Sequence, residues 1–184
     1  MRTIRTGLFI SLDGIVEADD DWQFAYFDEE LMRGIFDGFD GADDLLMGRV
    51  SYEGYARLRT EHPDSPVLPL LDARPKHVVS TTLANQDLDW EGATVMCGDV
   101  AAGIDALKRS PGGDILLLGS PTLVRWLLSR GLLDELVLTV FPIVVGSGPR
   151  LFENMPTERV GLRLTDSRAL ASGALSLHYA PAES

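Results

Sequence analysis

The sequence predicts an α/β domain with a mostly parallel sheet and an antiparallel finish, and three observations predict it. The stretch Gly112 to Glu153 runs through a short apolar segment, a glycine turn, a helical pattern and a second apolar segment, which is one βαβ unit. Three apolar strands stop at a small or hydroxyl residue just as a helix begins: Gly48-Arg49-Val50-Ser51, Ser80-Thr81 and Gly119-Ser120-Pro121-Thr122. The tail alternates apolar and polar residues about Ala171-Ser172-Gly173, the period-two pattern of a terminal hairpin.

Each element follows from local pattern. Thr3 to Ser11 is a first strand closed by the turn Ser11-Leu12-Asp13-Gly14. An acidic loop, Glu17 to Asp21, leads to Trp22, Phe24, Tyr26 and Phe27, aromatics that either anchor the loop to the core or wall a ligand. A helix is predicted from Asp28 to Phe39, with Asp28 as cap, Leu31, Ile35, Phe36 and Phe39 as its buried face, and Gly41 as its end. Leu45 to Met47 is a second strand that turns at Gly48 into another helix. Pro63, Pro66 and Pro69 mark a loop, Lys76 to Ser80 a third strand and Ala93 to Cys97 a fourth, followed by a helix from Val100 to Lys108. In the βαβ unit, Ile115 to Leu118 reads as a strand buried on both faces. Ser120 is placed as N-cap and Pro121 as first helical residue, Leu123, Trp126 and Leu127 form an apolar face, and Gly131 is a left-handed cap before the strand Leu136 to Phe141. No repeat or linker interrupts the chain, so residues 1–184 are expected to form one domain.

Composition excludes several function classes. A formal net charge of −12 without a Lys/Arg cluster argues against nucleic acid and anionic membrane as partners. The longest apolar run, Leu136 to Val145, contains a threonine and a proline and is too short to span a bilayer. A single cysteine, Cys97, excludes an intrachain disulfide, fits a reducing cytoplasm and reads as core filler. His62, His77 and His178 have no metal-ligand spacing, so no metal is expected.

In a parallel sheet the three strand-end turns lie on one edge and line one crevice. Small residues let backbone approach a ligand, hydroxyls and helix N–H groups meet phosphate oxygens, and Arg49 supplies a bidentate cation. The competing reading is that these residues only cap helices. Asp13 is the polar group best placed to orient a substrate or deliver a proton through water; its other reading is an Asp-Gly turn residue. Asp28 is a second candidate, with helix capping as the alternative, and Trp22 and Phe24 are candidate pocket walls.

The segments SLDG, LLMGRVSYE, VVSTT, LLLGSPTL, LLDEL and VVGSGPRLF occur in an order that resembles the dihydrofolate reductase-like superfamily, in particular the reductase domain of riboflavin synthesis. The resemblance spans nearly the whole chain. It implies an NADPH-dependent reductase, commonly dimeric, acting on a small heterocyclic (pyrimidine- or pterin-like) or carbonyl substrate. By position, Gly48, Arg49 and Ser51 would touch the adenosine side, with Arg49 at the 2′-phosphate. Ser80 and Thr81 would sit beside the same phosphate or ribose, and Gly119, Ser120, Thr122 and Leu123 would cradle the pyrophosphate. Departures from the family pattern are Gly-Ser-Pro for the usual glycine-rich turn, Ile15 for a lysine, and the lack of a recognisable arginine-bearing phosphate segment. These argue against a phosphoribosyl-pyrimidine substrate. The alternative is a non-catalytic module that binds a nucleotide or a partner on the same fold.

Overall fold

The computed structural model describes residues 1–16, 22–83, 88–155 and 159–182. The chain divides into two compact units. One holds Met1–Ile4 and Phe39–Ser120, the other Arg5–Gly38 and Pro121–Ser184. The acidic loop from Glu17 to Asp21 lies outside the described residues.

The first unit is an all-parallel sheet. Its strands are β2 (Ala42–Gly48), β3 (Lys76–Val79), β4 (Ala93–Met96) and β5 (Asp114–Leu118), after β1 (Ile4–Ser11), which opens the chain. The order across this part is β4-β3-β2-β5, with Gly48 opposite Val79 and Met47 opposite Leu118. Leu45, Leu46, Met47, Ile115 and Leu117 are fully buried, as strands covered on both faces require. Helices α2 (Arg49–Glu61) and α4 (Val100–Arg109) follow β2 and β4. Asp99 caps α4 by accepting from Ala102 N, while Lys108 and Arg109 in its last turn suit the negative pole. The segment predicted as a proline loop holds a short helix, α3 (Leu68–Asp72). Pro69 sits in its first turn, where a missing N–H costs nothing, so proline here starts a helix instead of preventing one.

Two charged networks close this unit. Arg2 is buried, pairs with Asp44 and donates to Ser110 Oγ at 3.0 Å. His77 Nε2 lies 2.8 Å from the other Asp44 oxygen. Burial alone would raise the Asp44 carboxyl, but the hydrogen bonds from His77 and Arg2 outweigh it and hold it below its ordinary value. Lys76 is fully buried, donates to Glu91 O at 3.1 Å and stands 5.0 Å from the Trp90 ring centre. Burial pushes its pKa down.

The second unit takes β1, β6 (Glu135–Phe141), β7 (Leu162–Ala169) and β8 (Leu175–Pro181) in the order β1-β6-β8-β7. β1 and β6 are parallel, whereas β6–β8 and β8–β7 are antiparallel, the predicted hairpin finish. Helix α5 (Pro121–Ser129) is stopped by Gly131 at φ +64, and Leu132 N closes on Leu127 O at 3.0 Å. Helix α1 (Glu29–Asp37) ends at Gly38 instead of running to Phe39 and Gly41. Gly38 closes the helix in a right-handed conformation, with its N–H on Gly34 O, the chain turns at Gly41 at φ +74, and Phe39, though buried, lies beyond the helix. Leu31 of α1 packs with Phe141 and Ala174, and around them Phe9, Trp22, Tyr26 and Phe27 form an aromatic layer. Phe9 meets Phe27 and Phe141 edge-on, each at 5.4 Å between ring centres.

Two glycines predict opposite responses to alanine. A Cβ at Gly113 would stand 2.3 Å from Gly41 O, a backbone atom with no room to yield. Gly113→Ala is expected to cost about 1–3 kcal/mol. At Gly54, exposed within α2, a Cβ meets nothing within 4 Å, so Gly54→Ala is expected to stabilise by about 1 kcal/mol. Thermal melts of the two variants check the signs, and a neutral Gly113→Ala would refute the close approach.

Candidate functional site

In the first unit the parallel register brings the C-terminal ends of β2, β3 and β5 to one edge, as the sequence predicts. Gly48, Ser80 and Gly119 begin the three turns. The β2 and β5 turns are clasped together: Ser120 Oγ accepts from Gly48 N at 2.7 Å and lies 2.7 Å from Ser51 Oγ. Both glycines are required by this clasp. A Cβ at Gly48 would stand 2.7 Å from Ser120 Oγ, and one at Gly119 would stand 2.9 Å from Ser51 Oγ. Gly119 and Ser120 both lie in the left-handed region, at φ +60 and +57. Ser120 therefore does not have the extended backbone of an N-cap, and its hydroxyl reaches to Gly48 N. That corrects the capping role expected from the sequence.

Arg49 is the first residue of α2, whose first turn carries no acidic side chain. A cation at the positive pole of a helix is unfavourable by itself, and an anion there would relieve it. Arg49 Nη1 donates to both oxygens of Glu53, each at 3.0 Å, on an open surface. Ser80 is buried and its hydroxyl accepts from Thr82 N and Leu83 N at 3.2 and 3.0 Å, which makes it a turn former. Thr81 beside it is exposed. Cys97, just past β4, is exposed too, contrary to its expected place in the core, because β4 ends at Met96.

In the second unit Thr122 is exposed in the first turn of α5, and its Oγ1 accepts from Arg125 Nη2 at 3.1 Å. Leu123 is buried, so its side chain belongs to the core. Trp22 packs edge-on against Phe141 at 5.7 Å, the anchoring reading, whereas Phe24 is 54% exposed and rests on Phe27. Asp28 Oδ1 accepts from Leu31 N at 2.8 Å, so the carboxylate caps α1 and is not a free acid.

Asp13 lies in the predicted turn, with Gly14 at φ +85, but its carboxylate has partners far along the chain. Its oxygens accept from Ser11 Oγ at 2.7 Å, Val145 N at 3.1 Å and Gly146 N at 2.8 Å. Arg150 Nε donates to its carbonyl at 3.1 Å, and Ile15 bridges to Arg150 as an isolated pair of strand residues. The hydrogen bonds from Ser11, Gly146 and Val145 lower the Asp13 pKa from 3.8 to about 2. A carboxyl this acidic is ionised at neutral pH, so of the two roles expected of Asp13 the orienting one suits it better than proton delivery. The glycines of the VGSGPR segment, Gly146 at φ +87 and Gly148 at φ +128, were the sequence signal of a tight loop, without naming Asp13 as its partner.

Among the described residues no group of three or more His, Cys, Asp or Glu side chains could hold a metal. No helix of the described chain is long and apolar enough to cross a membrane.

The Asp13 latch sets a pH dependence. Because the folded pKa lies below the unfolded one, its stabilisation is complete above about pH 4 and lost as pH falls toward about 2. Asp13→Asn should melt below wild type at neutral pH, with the gap closing across that window. A gap that stays constant down to pH 2 would exclude the latch.

The RibD C-terminal domain matches this chain over residues 2–176. Two Bacillus subtilis (strain 168) proteins are similar along nearly their whole length. YyaP is 29% identical over 185 residues, covering 97% of this chain and 94% of its own. YwjB is 30% identical over 173 residues, covering 92% of each. Among solved structures, a putative riboflavin biosynthesis protein from Shewanella sp. PV-4 superposes with a TM-score of 0.80 at 20% identity, covering 98% of this chain and 99% of that one. A dihydrofolate reductase from Enterococcus faecalis, complexed with NADP(H), gives a TM-score of 0.63 at 16% identity, covering 98% of this chain and 97% of that one. The fold is thus the dihydrofolate reductase-like one, and the chain belongs to the RibD C-terminal domain family.

Proposed function

We propose that the protein is an NADPH-dependent reductase of a small heterocyclic or carbonyl substrate. The observation that carries the reading is the edge of the first unit, where Gly48, Ser51, Gly119 and Ser120 form a tight hydroxyl-bearing turn beside Arg49 at a helix N-terminus. Its donors suit phosphate. Glu53 occupies Arg49 Nη1 only, and the Nε–Nη2 edge is the side-on fork that matches two phosphate oxygens. The relative from Enterococcus faecalis is complexed with NADP(H), which supports the same cofactor here.

Bound NADPH would supply hydride to an electrophilic carbon of the substrate. The chain's own part is to bind and orient. Arg49 would select the 2′-phosphate, and the clasped turns would let backbone approach the pyrophosphate. Asp13 and Asp28 are both committed to backbone N–H groups, so the proton that completes the reduction would come from water. The same commitment favours the second reading, a module that binds a nucleotide or partner without turnover. A cytoplasmic homodimer belongs to the proposal and is checked by mass in solution.

Thermal melts with NADPH, NADH and flavin decide between these. A ligand at 100 times its Kd should stabilise by about 2.7 kcal/mol. A shift with NADPH followed by substrate-dependent NADPH oxidation supports the reductase. A shift without turnover across a panel of pyrimidines, pterins and carbonyls favours the binding module, and no shift with any dinucleotide refutes the cofactor. Arg49→Ala should weaken NADPH about tenfold and leave NADH nearly unchanged, since only NADPH carries the 2′-phosphate. Equal losses would remove Arg49 from that role.

A further inference from the structure

The antiparallel strands β6 and β8 of the second unit carry three side chains that the reductase reading does not use. His178 on β8 lies with Nδ1 3.0 Å from Glu135 Oε1 and Nε2 3.3 Å from Ser176 Oγ. A nucleophile within reach of a base, which is itself held by a third group, is the arrangement that activates a serine hydroxyl. The sheet register makes it possible. Ser176 and His178 are two apart on β8 and share a face. Glu135 is two before Val137, which stands directly opposite His178, so it joins them.

The face is covered at one end and open at the other. Ala174, two residues before Ser176, is fully buried with Leu31 and Phe141, whereas Ser176, His178 and Glu135 are only partly buried. Gly7 stands opposite Val137 on β1, and a Cβ there would meet nothing within 4 Å. The row Gly7-Val137-His178 therefore offers a floor with space above it. Arg168 is opposite Ser176 on β7 and pairs with Glu30 through Nη2.

We propose that Ser176, His178 and Glu135 form a second site that hydrolyses small carboxylic esters by acyl transfer. With Nδ1–H donating to Glu135, Nε2 accepts the Ser176 proton as Oγ bonds to the acyl carbon. Collapse breaks the ester C–O bond, and His178 returns the proton to the departing alkoxide, leaving an acyl-serine. Water then attacks the same carbon, His178 takes one of its protons and gives it to Ser176 Oγ, and the carboxylic acid leaves with the other. The sum is ester plus water to carboxylic acid plus alcohol, the acid then releasing its proton to solvent. Arg168 would bring positive charge to the carbonyl oxygen as it becomes an oxyanion.

The test uses the full chain with diisopropyl fluorophosphate and p-nitrophenyl acetate. The exposed Cys97 thiol can itself react with the acetate, so hydrolysis is compared on a Cys97→Ser background. The expected results are phosphorylation at Ser176, located by peptide mass, and ester hydrolysis that falls about 10^4-fold in Ser176→Ala and in His178→Gln. Glu135→Gln, which keeps the shape and a hydrogen-bonding amide, should lower the rate by about 10^4-fold through the wrong His178 tautomer. No label on Ser176 of the wild-type chain would overturn the proposal without recourse to any variant. So would hydrolysis that survives Ser176→Ala.

Discussion

One hydroxyl, Ser120 Oγ, ties the β2 and β5 turns of the first unit. It accepts from the backbone of one turn and meets the serine of the other, so the ends of two neighbouring parallel strands are held at a fixed spacing. The glycines follow from this constraint. Side chains at 48 and 119 would occupy the space of the two serine oxygens. Ser120 itself keeps a left-handed backbone at φ +57, and from it the hydroxyl reaches Gly48 N. A non-glycine residue in this region is uncommon and is maintained when the surroundings demand it. The same residues that let the turns close also leave no side chain between backbone and an approaching anion.

The second unit is organised about a comparable economy of polar groups. The Asp13 carboxylate gathers the Val145–Gly146 amides, while Arg150 answers with a bond to the Asp13 carbonyl. Two exposed loops are thereby joined by charge-assisted hydrogen bonds at short range. The aromatic layer does the remaining work by packing, with Phe141 at the meeting point of Phe9, Trp22 and Tyr26. Asp28 sits at the border of that layer and ties down the first turn of α1. Polar residues that look chemical in sequence are here the fasteners of loops and helix ends.

The difference between what sequence shows and what it hides has a physical cause. Buried strands such as Leu45–Met47 and Ile115–Leu118 are legible because parallel sheets need apolar residues on both faces. The hairpin is legible because one residue in two is apolar, and Gly131 because a left-handed cap favours glycine. The candidate edge was legible as three turns, since parallel direction alone aligns their ends. Partners distant along the chain were not. Nothing local to Asp13 announces Gly146, 133 residues on, and nothing local to Ser120 announces Gly48, 72 residues back. Local ambiguity accounts for the rest: Pro69 reads as a breaker or as a first-turn residue, and Cys97 as the end of a strand or the start of a loop.

A net charge of −12 is an unpromising background for a phosphate ligand, yet range decides how much it matters. At physiological ionic strength charges beyond about 8 Å are largely screened, so distant carboxylates contribute little at any one surface point. What an anion meets at the β2 edge is Arg49, the unopposed positive end of α2 and a set of hydroxyls, with Glu53 the acidic side chain paired to that arginine. Arg49 and Glu53 form an exposed pair, which contributes about 0–1 kcal/mol and so yields readily to a better partner. In the proposed cofactor complex, an arginine at the wrong pole of a helix, held by so weak a bond, would exchange its carboxylate for the more highly charged 2′-phosphate, which also answers the helix pole.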